Sequence, residues 1–427
     1  MKRRFQAVKG TRDILPPESA LWNRVEQTAR QVFAAYNFHE IRLPCFEETE
    51  LFARSVGLDT DIVQKEMYSF EDRDGASVSL RPEATASVVR AYIEHGMHTR
   101  PGLAKLYYIG PMFRRERPQK GRFRQFYQIG AEVLGGSDAP AIDAEVIELV
   151  MVFIEKCGLK GCALTINSIG CSTCRPKYVE LLRRALTEVK DRLGPDSQRR
   201  IETNPLRVLD SKVEGEQPVI AELPSILDHL CGDCATHFGD VRRELEERKI
   251  KFEINHRLVR GLDYYTRTTF EITAPGLGAQ DAVCGGGRYD GLSELLGGPP
   301  TKGMGWALGT DRLLLALEAA GAKAEEKLDC FVIWLGPGRA SARALAQRLR
   351  HSGATVELLY EEMKLGKALE RADRLGARYA VIVGEDEVAK KKFSLRDLAS
   401  GKQDALPEEE IVRKITGRKA DPSLRSG

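Results

Sequence analysis

FRRERPQKGRFRQFYQ, residues Phe113–Gln128, joins two segments that are rich in aromatic and β-branched residues. These segments are Leu103–Phe113 and Arg124–Leu134, and both have the composition of β-strands. The polar run between them contains Pro118 and Gly121, which favour a loop. The sequence therefore predicts a β-hairpin with a long basic loop.

Cationic side chains are crowded into this hairpin, at Arg114, Arg115, Arg117, Lys120, Arg122 and Arg124. Arginine forks bind phosphate oxygens through paired hydrogen bonds, and an arginine on a strand is held more rigidly than one in a loop. Phe113 and Phe123 are placed where they could stack on a nucleotide base. The alternative is a charged hairpin that is only solvated, which is the usual meaning of a run of charges. The glycine, proline and glutamines within the run favour ligand binding.

The rest of this part of the chain contains both helix and strand patterns. Helices are predicted over Glu18–Tyr36, after Pro82, over Ile142–Cys157 and within Gly303–Glu318. Strands are predicted at Phe38–Leu43, Ser77–Arg81, Ala163–Asn167, Phe252–Ile254, Thr268–Thr273 and Ala282–Cys284. Because strand runs occur without regular βαβ alternation, the expected fold class is α+β with an antiparallel sheet. We expect one domain over residues 1–325, interrupted by a polar helical insertion at about 171–235.

A second domain is predicted over residues 328–427, after the small and charged linker Gly321–Lys327. Its predicted strands are Cys330–Leu335, Thr355–Leu359 and Ala380–Val383, and its predicted helices are Arg339–His351 and Lys364–Leu375. Alternating strands and helices are typical of a compact α/β domain with a parallel sheet.

Length and composition limit the classes of protein that need to be considered. A chain of 427 residues is too long for one ordinary core, so two or three domains are expected. Its 65 basic and 62 acidic residues give a net charge of +3, so any RNA contact must come from local basic patches. The N-terminus lacks the apolar segment of a signal peptide, and no stretch approaches the ~20 apolar residues of a membrane span. Nine cysteines in a large chain fit reduced thiols and a cytoplasmic location.

Four further motifs have a composition that suits ligand binding. They are RPEAT at Arg81–Thr85, LVRGLDYYT at Leu258–Thr266, CGGGRYDG at Cys284–Gly291 and GMGWALGTDRL at Gly303–Leu313. In the first, Glu83 and Thr85 offer a carboxylate and a hydroxyl to a ligand ammonium. A glutamate at a helix start also complements the helix dipole without any ligand, and the motif considered alone favours that interpretation.

The two glycine-rich motifs are weak signals when each is considered separately. Triple glycine permits close approach of the backbone to a ligand, but it also suits a flexible turn. The triple-glycine run is not a Walker loop, because no Gly-Lys pair with a following Ser or Thr comes after it. Arg312 is predicted in the first turn of a helix, where a cation is electrostatically unfavourable. An anionic ligand would explain its position.

Together the five motifs resemble the histidine–tRNA ligase family of class II aminoacyl-tRNA synthetases in order, spacing and residue identity. The similarity begins at Lys9–Asp13 and covers nearly the whole chain. The features of the class are Phe33–Pro44 at the place of motif 1, Phe113–Glu116 with Arg124–Phe126 for motif 2, and Gly309–Leu313 for motif 3. Leu258–Thr266 and Gly285–Gly291 resemble the two histidine-specific signatures, which make the resemblance specific.

The resemblance implies a two-step reaction. Histidine and ATP give histidyl-adenylate and pyrophosphate, with Mg²⁺ on the phosphate oxygens, and histidine is then transferred to the 3′ end of tRNA with release of AMP. By resemblance, Arg114 would bind the α-phosphate and the histidine carboxylate, Arg260 would be the catalytic arginine at the α-phosphate, and Arg312 would bind the γ-phosphate. ATP binding is assigned to Arg114, Arg122, Arg124 and Arg312.

The same resemblance implies a histidine pocket. Its residues are Glu83, Ala84, Thr85, Arg114, Gln128, Glu132, Arg260, Tyr264, Tyr265 and Tyr289. Glu83 and Thr85, helped by Gln128, would hold the ammonium group. Glu132 and Tyr264 would read the imidazole, with Tyr265 and Tyr289 beside it. Ala84 departs from the glycine that the family usually has, and one methyl at a helix start is expected to be tolerated.

Contacts with tRNA(His) and a homodimer are also implied. The loop residues assigned to the acceptor end of the tRNA are Arg117, Gln119, Lys120 and Arg122, with Gln119 on a base edge. The α/β domain would bind the anticodon, and Lys390–Lys392 is either a phosphate contact or a solvated surface.

Two CxxC pairs, Cys171 with Cys174 and Cys231 with Cys234, bracket the insertion. Paired CxxC motifs have the form of a structural zinc site. The gap between the pairs is far longer than in ordinary zinc ribbons, however, and the family has no general requirement for zinc. The sequence therefore favours packed or incidental cysteines over zinc.

Two other functions are compatible with parts of the pattern. Non-catalytic subunits of histidine biosynthesis resemble the catalytic domain, but they typically lose substrate residues and the anticodon domain. Synthetases for glycine, proline or threonine share the class motifs, but not Leu258–Thr266 together with Gly285–Gly291. The presence of Arg114, Arg260 and Arg312 beside both signatures disfavours these alternatives.

Overall fold

The computed structural model describes residues 5–57, 60–119, 121–278, 281–323 and 328–417. The chain divides into two compact units, Met1–Lys323 and Ala324–Gly427. In the first unit the regular elements are α1 (Glu18–Ala35), β1 (His39–Glu40), β2 (Phe46–Glu48), α2 (Thr49–Val56), β3 (Tyr68–Glu71), β4 (Ser77–Leu80), α3 (Thr85–Glu94), β5 (Ala104–Phe113), β6 (Gln125–Gly135), α4 (Pro140–Lys156), β7 (Ala163–Ser168), α5 (Arg175–Glu188), α6 (Pro195–Thr203), α7 (Gln217–Ala221), α8 (Gly232–Glu247), β8 (Glu253–Ile254), β9 (Thr266–Thr273), β10 (Ala282–Arg288), α9 (Leu292–Leu295), β11 (Lys302–Gly309) and α10 (Thr310–Ala319).

The described part of the first unit is built on an eight-stranded sheet in the order β1-β5-β6-β11-β10-β9-β7-β8. The short edge strands β1 and β8 pair parallel to their neighbours, and every pair between them is antiparallel. The expected α+β fold with an antiparallel sheet is confirmed. A separate antiparallel sheet in the order β2-β4-β3 was not expected, apart from the strand β4.

The predicted hairpin is formed by β5 and β6. Their register runs from Ala104 opposite Leu134 to Phe113 opposite Gln125. Beyond the last pair, the N–H of Arg114 donates to the carbonyl oxygen of Arg124 at 2.9 Å. This bond closes the base of the basic loop.

The triple glycine lies inside the strand β10 and does not form a turn. β10 is paired on both sides, with β9 and with β11. A β-carbon on Gly286 would lie 2.4 Å from the carbonyl oxygen of Gly305. The glycines are therefore required by close packing within the sheet, which a turn would not demand.

One face of the sheet is covered by helices. Trp306 on β11 stacks between Phe33 of α1, at 5.9 Å, and Phe153 of α4, at 6.5 Å between ring centroids. Successive strand residues point to opposite faces, so Gly305 and its partner Glu132 face the other side. The aromatic stack thus fixes which face of the sheet is left for a site.

The second unit contains β12 (Leu328–Trp334), α11 (Arg339–His351), β13 (Val356–Leu358), α12 (Leu365–Arg374), β14 (Ala377–Val383), α13 (Glu385–Lys390), β15 (Lys392–Asp397), β16 (Gln403–Pro407) and α14 (Glu408–Thr416). Its sheet has the order β13-β12-β14-β15-β16. The first three strands are parallel, as expected, whereas β15 and β16 are added antiparallel. The parallel sheet expected from the sequence is therefore only part of the observed one.

Candidate functional site

Arginines from three separate motifs line one cavity of about 460 Å³ in the first unit. Arg114 and Arg122 come from the hairpin, Arg260 from the LVRGLDYYT motif and Arg312 from the start of α10. Carboxylates also line this cavity, at Asp61, Glu66, Glu116, Asp210, Glu271, Asp281 and Asp311. The fold thus brings arginines from distant parts of the chain together in a wall that also carries carboxylates.

Arg114 is held by two contacts beside the cavity. Its Nε donates to the carbonyl oxygen of Pro82 at 2.9 Å. Its guanidinium carbon lies 5.3 Å from the ring centroid of Phe126, a cation–π contact. Nε is thus occupied, and the guanidinium group is oriented in advance of any ligand.

Arg312 is the third residue of α10, in the first turn as the sequence predicted. Burial lowers the pKa of its guanidinium, and the positive charge of Arg122 lowers the pKa further. Arg122 itself forms an ion pair with Glu116 at 3.1 Å. A cation in surroundings that disfavour its charge fits a site built for an anion.

Arg260 lies against the triple-glycine strand. Its Nη1 donates to Oε2 of Glu271 at 2.6 Å, and Glu271 on β9 is the register partner of Gly285. A β-carbon on Gly285 would lie 1.9 Å from Nη2 of Arg260. The bare backbone of Gly285 therefore provides the space that the guanidinium occupies.

Glu132 is the centre of a buried hydrogen-bond network. The Thr85 hydroxyl donates to Oε1 of Glu132 at 2.7 Å, and the Tyr289 hydroxyl donates to Oε2 at 2.6 Å. Tyr264 packs edge-on against Tyr289, at 5.8 Å between ring centroids, and in a tilted arrangement against Tyr265, at 4.7 Å. The residues that the resemblance assigned to imidazole recognition are thus brought together.

Burial raises the pKa of Glu132 to about 8. The hydrogen bonds from Tyr289 and Thr85 lower the pKa, and the negative charge of Glu83 raises it. The carboxyl group is therefore largely protonated at neutral pH. A ligand that supplied a hydrogen-bond donor or a positive charge would favour the ionised form.

Glu83 lies two residues before α3 and accepts hydrogen bonds from the first turn of that helix. Its Oε2 accepts the N–H of Thr85 at 2.6 Å and its Oε1 accepts the N–H of Ala86 at 3.0 Å. Burial raises its pKa, and these two hydrogen bonds oppose the shift. The helix-start interpretation of this motif is confirmed, and contact with a ligand ammonium stays a prediction. Ala84 is fully buried in an apolar cluster, so its methyl group is accommodated.

Gln128 connects the two halves of the site. It lines the arginine cavity, and on β6 it lies four residues before Glu132, on the same face of the sheet. Four residues of a strand span about 13 Å. The arginine cavity and the Glu132 network are therefore two parts of one strand-borne surface.

The remaining predicted residues lie in the hairpin loop and differ in their exposure and their contacts. Arg117 and Gln119 are exposed, and Lys120 lies outside the described residues. Arg122 exchanges backbone hydrogen bonds with Gln119 at 2.9 and 3.2 Å, while its side chain reaches the cavity. Arg124 is absent from the described cavity wall, and its N–H donates to the carbonyl oxygen of Gly10 at 2.7 Å. Its assignment to ATP stays a prediction.

Two residues at the site, Arg12 and Glu271, were not predicted from the sequence. Nη2 of Arg12 lies 3.1 Å from Oδ1 of Asp311, and Oδ2 of Asp311 accepts the N–H of Tyr127 at 3.0 Å. The position of Arg12 within the first matching segment was the available signal. Glu271, the partner of Arg260, lies on β9 outside the motifs and had no signal of its own.

Four cysteines and three lysines singled out from the sequence lie outside this site. The sulfur atoms of Cys171, Cys174, Cys231 and Cys234 all lie within 4.8 Å of one another. Lys390, Lys391 and Lys392 are exposed where α13 meets β15. Within the described ranges, no helix combines the length and apolar character needed to cross a membrane.

Comparison with known proteins gives consistent matches. The family described as histidyl-tRNA synthetase matches residues 10–313, and the anticodon binding domain family matches residues 329–418. A histidine–tRNA ligase from Koribacter versatilis is 54% identical over 98% of this chain and 99% of that relative. One from Solibacter usitatus is 55% identical, covering 96% and 99% of the two chains. The crystal structure of apo S. aureus histidyl-tRNA synthetase has a TM-score of 0.80 at 37% identity, covering 97% of this chain and 100% of that one.

Proposed function

Since the chain belongs to the histidyl-tRNA synthetase family, we propose that its cavity arginines bind ATP while the Glu132 network binds histidine. The enzyme is an aminoacyl-tRNA ligase that activates histidine and charges tRNA. The observation that carries the proposal is the convergence of Arg114, Arg260 and Arg312 on one cavity, which β6 joins to the buried carboxyl group.

The first chemical step follows from the charges. A histidine carboxylate is already ionised at neutral pH, so its attack on the α-phosphorus requires no general base. Negative charge develops on the phosphate oxygens as pyrophosphate leaves, and preorganised cations stabilise it. Arg114 and Arg260 take the α-phosphate, and Arg312 takes the γ-phosphate at the start of α10. The contact between Arg260 and Glu271 keeps the guanidinium in place before ATP arrives.

Recognition of histidine is assigned to the buried network. Glu83, Thr85 and Gln128 hold the ammonium group, and Glu132 with Tyr264 contacts the imidazole nitrogens. Tyr265 and Tyr289 pack beside the ring. A pocket that must hydrogen-bond both ring nitrogens discriminates strongly against apolar amino acids, because its buried polar groups would be left unpaired.

Mg²⁺ fits the donor set of the cavity. Glu66 and Glu116, whose carboxylates line the cavity, would offer the oxygen ligands that Mg²⁺ takes beside substrate phosphates. When bound, the ion neutralises charge on the phosphate oxygens.

The hairpin loop and the second unit are assigned to tRNA(His). Arg117, Gln119, Lys120 and Arg122 contact the acceptor end, and the unit that matches the anticodon binding domain contacts the anticodon. The class II resemblance supports a homodimer, and a role in translation supports a cytoplasmic location.

The test is amino-acid-dependent exchange of pyrophosphate with ATP, followed by tRNA charging. We expect exchange with histidine and none with glycine, proline or threonine. Arg260→Ala should lower exchange by about 10²–10³-fold while tRNA binding is retained. Arg242→Ala, a change at an exposed arginine on α8, is the matched control. Near-normal exchange by Arg260→Ala would contradict the assigned role.

A further inference from the structure

Four cysteines meet at the base of the helical insertion, and their place in the fold is the first observation. Cys174 directly precedes α5, Cys231 directly precedes α8, and Cys234 lies in the first turn of α8. With Cys171 they form a set that we call the four-cysteine cluster. The cluster therefore joins the two helices at which the insertion begins and ends.

The distances within the four-cysteine cluster match a metal site. The sulfur of Cys171 lies 3.8 Å from that of Cys174 and 3.8 Å from that of Cys231. Four sulfurs placed tetrahedrally at the Zn–S distance of about 2.3 Å would be about 3.8 Å apart. All nine cysteines are free thiols, so the spacing does not come from disulfide bonds.

The backbone around the first pair also suits metal-bound sulfur. The N–H of Cys171 points at the sulfur of Cys174 at 3.3 Å, and the N–H of Thr173 points at the sulfur of Cys171 at 3.4 Å. The positive φ of Gly170, +69°, wraps the turn so closely that a β-carbon there would lie 2.8 Å from the sulfur of Cys174. Backbone donors and helix N-termini favour the thiolate form that metals require.

We propose that the four-cysteine cluster binds one structural Zn²⁺ ion through four thiolates. Soft sulfur ligands in a tetrahedral array select zinc among abundant divalent ions. Four protein ligands leave no open coordination position, so the ion stabilises the fold and takes no part in catalysis. Sequence spacing alone disfavoured zinc, because the two pairs are far apart along the chain. The fold removes that objection.

The ion would fix the insertion beside the histidine pocket. Arg175, next to Cys174, donates to the carbonyl oxygen of Tyr265 at 2.5 Å. The carbonyl oxygen of Gly170 accepts the N–H of Arg267 at 2.8 Å, at the start of β9. Zinc in the cluster would therefore hold the first turn of α5 against the segment that carries Tyr264 and Tyr265.

Metal analysis of the full-length enzyme, purified without chelators or a histidine tag, tests the proposal. We expect about one zinc per chain. Less than one-tenth of an equivalent, or iron in place of zinc, would overturn it. A thiol-modifying mercurial should release the zinc from the unaltered enzyme into an indicator dye, which avoids any dependence on the folding of variants.

Substitution then locates the ion. Cys171→Ser with Cys231→Ser should abolish zinc binding, and proteolysis within residues 175–231 should become faster. The control carries Cys45→Ser and Cys162→Ser, two cysteines outside the cluster, and should keep its zinc. In the unaltered enzyme, Co²⁺ supplied in place of zinc should give thiolate charge-transfer and tetrahedral d–d absorption. Zinc retained by the Cys171/Cys231 variant would place the ion elsewhere and refute the assignment.

Discussion

A β-carbon placed on Gly285 would lie 1.9 Å from Nη2 of Arg260, far inside the contact distance of two nonbonded heavy atoms. On the neighbouring strand, Glu271 accepts a hydrogen bond from Nη1 of the same guanidinium. Arg260 is therefore held between a carboxylate and a stretch of bare backbone, and its position depends on a residue without a side chain.

Gly285→Ala should reduce activity although it does not change Arg260. The added methyl displaces the guanidinium, and we expect histidine-dependent pyrophosphate exchange to fall about 10–100-fold, since misplacement by about 1 Å can cost a factor of that order. Gly136→Ala, with no neighbour within 4 Å of the added carbon, is the control. Exchange by Gly285→Ala equal to that of the control would show that the close approach has no catalytic consequence.

Glu132 should make stability depend on pH. Its pKa is about 8 in the folded protein against an ordinary value of 4.5, so between these values the folded state binds one proton more than the unfolded chain. Its contribution to stability is complete below pH 4.5 and is lost as the pH rises towards 8. Relative to Glu132→Gln, the wild type should lose about 1.4 kcal/mol per pH unit in this window.

Urea unfolding of the two proteins at several pH values, followed by fluorescence, measures that difference. Groups that do not interact with Glu132 contribute equally to both proteins and cancel. Parallel stability curves for wild type and variant would contradict the raised pKa.

The exposed loop residues should affect tRNA but not adenylation. Arg117→Ala with Gln119→Ala would remove the proposed phosphate contact and the proposed base contact. We expect kcat/KM for tRNA charging to fall at least tenfold, about 1.4 kcal/mol or more, because each specific contact contributes about 1–3 kcal/mol. Pyrophosphate exchange, which needs no tRNA, should stay within twofold. Equal losses in both assays would mean that the loop acts on the ATP site instead.

Arg12 and Asp311 should be energetically coupled. Asp311 is 5% exposed, and burial raises its pKa, which the hydrogen bond from Tyr127 and the contacts with Arg12 oppose. A double-mutant cycle with Arg12→Ala and Asp311→Ala should give a coupling of about 1 kcal/mol or more in unfolding free energy. The exposed pair Arg54 and Glu50 should give only about 0.3–0.5 kcal/mol. Similar coupling energies for both pairs would show that the contact between Arg12 and Asp311 is no stronger than an exposed ion pair.

Much of the fold was predictable because its signals are local. The strands of the hairpin, the helix α1 and the position of Arg312 in a first turn follow from periodicity and turn residues within short windows. β15 and β16 were missed because they are short and partly exposed, so they lack the apolar run of a central strand. The triple glycine could not be identified as part of a paired strand. Glycine is required there because Arg260 and the neighbouring strands pack against it, and this packing is visible only in the fold.

The site was predictable to the extent that residues are recognised by motif. The chain order placed Arg114, Arg260 and Arg312 far apart, and resemblance alone joined them before the structure did. Glu271 could not be found in this way, because it lies on β9 outside the motif that contains Arg260. Arg12 lay within the first matching segment, but its partner Asp311 is 299 residues away along the chain. The same limit applied to the four cysteines, whose separation along the chain argued against the convergence that the fold produces.

The hydrogen bond between Arg114 and Arg124 closes the hairpin at a point to which its exposed residues do not contribute. Among the described loop residues, Glu116, Gly121 and Arg122 line the cavity, whereas the exposed Arg117 and Gln119 do not. Exchanging only these exposed residues would therefore alter the tRNA recognition proposed for them without replacing any residue of the cavity wall.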